Sequence, residues 1–215
     1  VTPGQNYNIA LVVDVSGSMS SRMTLLKESL TNLLNVLKNH SGSINITLIS
    51  FSNGAQELVS VQGLNSTNVD QLITAVNGLS ADGGTNYEAA FNVAKSWFNN
   101  TTKANPAYTD QTYFLTDGDP TYYYNASGNL AGNGSSTTYD TFQNSVDAFT
   151  LLKAVSSTVY GVGIGSGVNS TYLNFFDTTD VTNPAGSVSF GLTTTTLATF
   201  SENSGLGAIG SWTKS

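Results

Sequence analysis

Residues 9–18 read Ile9-Ala10-Leu11-Val12-Val13-Asp14-Val15-Ser16-Gly17-Ser18, an apolar run that stops at a carboxylate and opens into a hydroxyl-bearing loop. An apolar stretch with no polar alternation is what a strand covered on both faces requires, as in a parallel sheet packed between helices. The chain on either side is read from that strand outward.

Downstream, Leu25, Leu26, Leu30, Leu33, Leu34 and Leu37 recur at helical spacing and predict an amphipathic helix ending near Gly42. Ile44 to Phe51 alternates as a strand does, and Glu57 to Val61 predicts a second, shorter one. Val69, Leu72, Ile73 and Val76 mark a helix, and Gly83-Gly84 breaks the chain after it. Glu88 to Phe98 reads as a helix with Ala90, Phe91, Ala94 and Phe98 inward, and Gln111 to Thr116 as a strand ending at Asp117. Phe142 to Val155 predicts a helix, Thr158 to Ile164 a strand, and Thr171 to Phe176 a short helix. In the poorly patterned tail, Val188 to Phe190 suggests a strand and Thr194 to Glu202 a helix.

Strands alternating with helices imply βαβ units, hence an α/β, doubly wound and mainly parallel sheet with helices on both faces. In such sheets ligands bind beyond the carboxyl ends of the strands, at the point where the strand order reverses. The residues just after the predicted strands are therefore the place to look for chemistry.

Composition narrows the function. Charged residues are 10 % of the chain, against roughly 25 % in ordinary soluble domains, and Ser, Thr, Asn and Gly supply the surface polarity instead. A net charge of −7 with seven scattered Lys and Arg argues against nucleic acid and favours divalent cations. The absence of cysteine excludes disulfides and thiolate chemistry. It also leans towards a bacterial or archaeal source. No apolar run approaches the roughly 18 residues of a membrane span, so no membrane insertion is expected. Residues 1–6 read as a linker end without signal-peptide character, and residues 1–215 as a single domain cut from a longer chain. The Asn-x-Ser/Thr sequons, for example at Asn45 and Asn125, are ascribed to composition.

Oxygen donors gather in three segments at the expected rim. Asp14-Val15-Ser16-Gly17-Ser18 follows the first strand, Gly83-Gly84-Thr85-Asn86 stands at a helix start, and Thr116-Asp117-Gly118-Asp119 follows a central strand. Carboxylates and hydroxyls without His or Cys suit a hard cation, meaning Mg²⁺, Mn²⁺ or Ca²⁺.

Asp14-x-Ser16-x-Ser18, Thr85 and Asp117 together resemble the metal-ion-dependent adhesion site of von Willebrand factor A domains and integrin inserted domains. The resemblance covers roughly residues 7 to 165 in element order. It implies a doubly wound sheet with one antiparallel edge strand, which the short strand at Glu57 to Val61 would supply. It also implies that Ser16, Ser18 and Thr85 bind the ion through hydroxyls, with Asp14 and Asp117 acting directly or through water. An Asp or Glu carboxylate of a protein partner would complete the shell. The expected function is thus a metal-dependent, non-enzymatic adhesion module of a larger secreted or cell-surface protein, flanked by other domains. The Thr/Asn/Gly-rich composition is similar to that of the repetitive RTX-type calcium-dependent adhesins of Gram-negative bacteria.

The alternatives are an intracellular assembly subunit of the same fold and a metal-dependent phosphoesterase. Against the enzyme, the three loops contain no His, Cys or Lys to act as base or nucleophile. Residues 119–139 form a polar, Tyr- and Gly-rich insertion, too long for a routine connection, which should lie on the metal-bearing face and select the partner. Within it, Tyr122, Tyr123 and Tyr124 read either as a ligand-recognition patch or as packing for the loop. Asp119 reads either as a group supporting the metal ligands from behind or, the favoured reading, as a turn residue before Pro120, and His40 as a solvated residue near a helix C-terminus.

Overall fold

The computed structural model describes residues 1–179, 187–191, 197–202 and 210–214. Strand β1 (Tyr7–Asp14) is buried along its whole length, as its apolar run requires. Because side chains alternate across a strand, Ala10 and Val12 enter one core cluster while Ile9, Leu11 and Val13 enter another on the opposite face.

A 3₁₀ turn, Gly17–Arg22, leads into helix α1 (Met23–Leu37). This helix buries Met23, Leu26, Leu30, Leu34 and Leu37, one residue per turn. Leu25 is 64 % exposed, so the buried stripe is narrower than the leucine pattern suggests, and the helix closes at Leu37 rather than near Gly42.

Strand β2 (Ile44–Phe51) runs parallel to β1, with Tyr7 opposite Ile44 and Asp14 opposite Phe51. Its alternation does not mark a wet face, because all of its residues are buried. The polar ones find partners inside: Asn45 donates to Asn8 at 3.0 Å and Thr47 to the Val59 carbonyl at 3.0 Å. Strand β3 (Ala55–Val61) pairs antiparallel with β2 and forms the edge.

Helices α2 (Val69–Asn77) and α3 (Tyr87–Phe98) precede β4 (Thr109–Thr116), which lies parallel to β1 on its other side. The insertion then forms a hairpin of β5 (Tyr122–Tyr124) and β6 (Leu130–Gly132). Helix α4 (Tyr139–Lys153), β7 (Thr158–Gly163) and α5 (Ser170–Asn174) follow, with β7 parallel to β4. The sheet order is β3-β2-β1-β4-β7. Residues of α1 and α2 fill the core on one face of the sheet, and those of α3 and α4 fill the other.

The second core is aromatic. Phe114 of β4 stacks on Phe51 at 5.3 Å and meets Tyr87 and Phe91 at 4.7 Å each, so the strand that carries Asp117 is clamped from the α3 side. Burying each such ring contributes on the order of 1.5–3 kcal/mol.

In the tail, β8 (Ser187–Gly191), β9 (Leu197–Glu202) and β10 (Gly210–Lys214) form a separate antiparallel sheet in the order β10-β9-β8. The strand expected at Val188 to Phe190 is present as β8. The helix expected at Thr194 to Glu202 is not: Leu197–Glu202 is a strand, and residues 194–196 lie outside the described residues. Backbone pairing of β9 with both β8 and β10 overrides an i, i+3 apolar spacing that only mimics a helix.

Candidate metal centre

Asp14 ends β1 and Asp117 follows β4, and these strands are hydrogen-bonded neighbours with Val13 opposite Leu115. From β1 the chain moves outward to β2 and β3, then returns to β4 on the other side of β1. The rim between β1 and β4 is therefore where strand order reverses, and both carboxylates stand there.

Asp14 is wholly buried. Its Oδ1 accepts the Ser16 backbone N–H at 2.7 Å and its Oδ2 accepts the Thr116 hydroxyl at 2.7 Å. Burial pushes this carboxyl up to about 6, against hydrogen bonds from Ser16 and Thr116 that lower it, while the neighbouring Asp117 charge adds to the rise. Ser16 Oγ and Ser18 Oγ lie 3.1 Å apart, and Ser18 donates to Asp117 Oδ1 at 2.6 Å. The second oxygen of Asp117, Oδ2, accepts from Arg22 Nη1 at 2.7 Å.

Thr85 joins the cluster through backbone straps. Gly17 N–H donates to the Gly83 carbonyl and Asp82 N–H to the Val15 carbonyl, both at 2.8 Å. Gly83 turns there with φ +80, a conformation glycine adopts without strain. Asn86 then caps α3, its side chain accepting Ala89 N–H. Thr85 is 5 % exposed, yet its hydroxyl makes no hydrogen bond among the described residues.

These features fit a hard divalent cation. A buried carboxylate favours a cation beside it, and a buried hydroxyl with no hydrogen bond among the described residues has a lone pair to offer one. Among the described residues no group of three or more His, Cys, Asp or Glu side chains comes together. An ion held here would therefore rest largely on neutral hydroxyls and keep its appetite for a further anionic oxygen.

The insertion lies on this rim. Thr121 and Tyr122 N–H both donate to the Thr85 carbonyl, at 2.8 and 3.0 Å, and Thr85 N–H donates to Thr121 Oγ1 at 3.0 Å. The Tyr122 ring covers Gly84 so closely that a Cβ on Gly84 would meet it at 2.5 Å. Tyr123 donates to Asp140 at 3.3 Å, and Tyr124 N–H donates to Glu88 at 2.7 Å. Burial raises the Glu88 carboxyl, partly opposed by that bond. All three tyrosines are half-buried and engaged within the domain. The hairpin thus braces Thr85 as well as decorating the rim.

Two further expectations take a different form. Asp119 is more than a local turn residue: its Oδ1 accepts Asn169 N–H at 3.1 Å, tying the β4 end to the start of α5, and burial raises its carboxyl. His40 is not free in solvent, since its Nε2 lies 2.7 Å from the Gln5 carbonyl and its ring tilts against Tyr7 at 5.8 Å.

A profile of the von Willebrand factor type A domain matches residues 9–119, from the first strand through both carboxylates. The chain belongs to this family. No curated protein matches this A domain. Among solved structures it is similar to a von Willebrand factor type A protein from Catenulispora acidiphila, with TM-score 0.62 and 19 % identity over 81 % of this chain and 36 % of that one. It is also similar to a point mutant of the PilB minor pilin from Streptococcus sanguinis, with TM-score 0.60 and 17 % identity over 79 % of this chain and 52 % of that one. A third is the pilus adhesin SpaC from Lactobacillus rhamnosus GG, with TM-score 0.57 and 19 % identity over 98 % of this chain and 38 % of that one. The A domain spans between about a third and a half of the length of these chains.

The sequence places Thr116 in a rim segment beside Asp117 without assigning it a role, and the structure makes it the donor to Asp14 Oδ2. Sequence signals miss two further rim residues. Thr121 and Arg22 carried none, because their roles depend on how the hairpin and the 3₁₀ turn fold back.

Proposed function

We propose that this A domain is a metal-dependent adhesion module of a larger cell-surface or secreted protein. Asp14, Ser16, Ser18, Thr85 and Asp117 hold one Mg²⁺, Mn²⁺ or Ca²⁺, and an Asp or Glu carboxylate of a protein partner completes the site. The ion supplies an electrophilic contact for that carboxylate. The domain's residues keep the contact specific: hydroxyls from two loops add donors without adding charge, and the carboxylates of Asp14 and Asp117 are both buried.

The observation that carries this reading is that Thr85, buried and with a hydroxyl that makes no hydrogen bond among the described residues, sits on a loop strapped through Gly83 to the Asp14, Ser16, Ser18 and Asp117 network. The context supports it, since a pilus adhesin and a minor pilin share the fold. No helix among the described residues is long and apolar enough to cross a membrane. The reading assigns binding, not turnover, to the rim.

Acetate serves as a probe for the partner's carboxylate. With Mn²⁺ present, the domain should speed proton relaxation of acetate beyond what Asp14→Ala produces at the same ion concentration. Identical relaxation with the two proteins would remove the carboxylate-bridging part of the proposal.

A further inference from the structure

Arg22 stands at the end of the 3₁₀ turn and belongs to none of the motif positions. Its Nη1 donates to Asp117 Oδ2 at 2.7 Å and reaches the Ser18 carbonyl at 3.4 Å. The pair is asymmetric: the arginine side chain is 31 % exposed, while that of Asp117 is fully buried. The other ion pair found among the described residues, Lys103 with Glu57, leaves its carboxylate 25 % exposed.

The guanidinium has a prepared seat. Gly165, just after β7, has φ +78, and a Cβ there would lie 2.6 Å from Nε, 2.8 Å from Nη2 and 3.0 Å from Cζ of Arg22. A side chain at that position would have to displace the arginine head, and the positive φ there favours glycine. Three chain segments, the turn after β1, the end of β4 and the loop after β7, therefore converge to place one cation on the outer oxygen of Asp117. The inner oxygen, Oδ1, accepts from Ser18, whose hydroxyl lies against that of Ser16.

We infer that Arg22 is a built-in counter-cation that shares Asp117 with the bound ion and sets the affinity of the site for it. The inference rests on the metal reading above. The chemistry follows from charge. Two buried carboxylates at one rim repel each other, and without a cation nearby the folded state carries that repulsion together with their desolvation. The guanidinium neutralises Asp117 before any ion arrives, so the rim stays folded when the ion is absent. The same charge repels a dication and draws electron density from Oδ1, so it weakens ion binding. Arg22 acts through Asp117 and is a positioning residue, not a ligand.

A residue that only supported the loop would have the opposite signature, because losing it would loosen the site and weaken the ion. Arg22→Gln keeps a donor but removes the charge, and Arg22→Lys keeps the charge but loses the planar fork. Calorimetric titration of both variants and the wild type with Mg²⁺, Mn²⁺ and Ca²⁺ is paired with thermal melts in chelator. Arg22→Gln should bind the ions roughly tenfold more tightly, the scale of a unit charge acting on a dication across a carboxylate with nearly water-like screening. It should also melt earlier in chelator and recover when the ion is added. Arg22→Lys should stay within about threefold of the wild type.

Weaker ion binding by Arg22→Gln, or equal tightening in both variants, overturns the counter-cation role while leaving the metal site standing. A wild type that binds none of the three ions overturns the metal reading and this inference with it. If Arg22→Gln does not fold at any ion concentration, Arg22→Lys decides: affinity near that of the wild type supports charge as the operative property, and a tenfold change in either direction contradicts it.

Discussion

The hydroxyl of Ser18 donates to Asp117 Oδ1 at 2.6 Å, joining two loops that lie 99 residues apart in the chain. This bond closes the chain of contacts that runs from Thr116 through Asp14, Ser16 and Ser18 to Asp117. Ser18→Ala leaves a buried carboxylate oxygen without its donor and removes an oxygen from the rim. Ion affinity should fall at least about tenfold, and melting in chelator should show a loss of about 1–2 kcal/mol. Calorimetry and denaturant unfolding report the two effects separately. Unaltered affinity would take Ser18 out of the site.

Thr116 donates to Asp14 without being one of the five proposed donors. Thr116→Val keeps the shape of the side chain and deletes the donor to Oδ2. Outer partners of this kind are commonly worth about 10–100-fold in metal affinity, and that range is expected here. A change below about twofold would mean that the packing around Asp14 orients it unaided.

Asp14 gives stability a distinctive pH dependence. Its folded-state carboxyl is raised from 3.8 to about 6 by burial, so between those values the folded chain holds the proton more tightly than the unfolded one. In chelator this contribution is full below about 3.8 and is lost as the pH rises through about 6. Asp14→Asn, neutral throughout, should remove that slope and stabilise the ion-free domain near neutral pH by on the order of 2 kcal/mol. In saturating Mg²⁺ the slope should reverse for the wild type, because the ion requires the carboxylate. Melting curves collected across the acidic range, with chelator and with Mg²⁺, test both signs.

The hairpin β5–β6 should matter for the ion as well as for the partner. Thr121→Val removes the acceptor of Thr85 N–H, and Gly84→Ala drives a Cβ into the Tyr122 ring. Each should weaken ion binding several-fold through Thr85 while leaving the five-stranded sheet intact, as read by far-ultraviolet circular dichroism. Wild-type affinity in both variants would confine the hairpin to contacts with the partner.

Much of this was legible in the sequence because the informative residues are local. The apolar run before Asp14 marks a strand buried on both faces, and the site residues immediately follow strand ends or precede a helix, where chain order alone locates them. What stayed hidden depends on chain segments meeting. The hairpin lacks alternation, since Tyr122, Tyr123 and Tyr124 are consecutive aromatics, and it is fixed instead by Glu88 and Thr85. Leu197 and Phe200 in β9 stand at a helix-like spacing, while pairing with β8 and β10 decides the outcome. Leu25 belongs to the leucine pattern yet faces solvent, because α1 covers the sheet with only one narrow stripe.

The most direct test of the account is a calorimetric titration of the chelator-treated domain with Mg²⁺, Mn²⁺ and Ca²⁺, beside Asp14→Ala. Saturable binding of one ion by the wild type and none by the folded variant is the predicted result. Equal binding by both proteins, or binding by neither, would contradict a metal-dependent adhesion site at Asp14, Ser16, Ser18, Thr85 and Asp117.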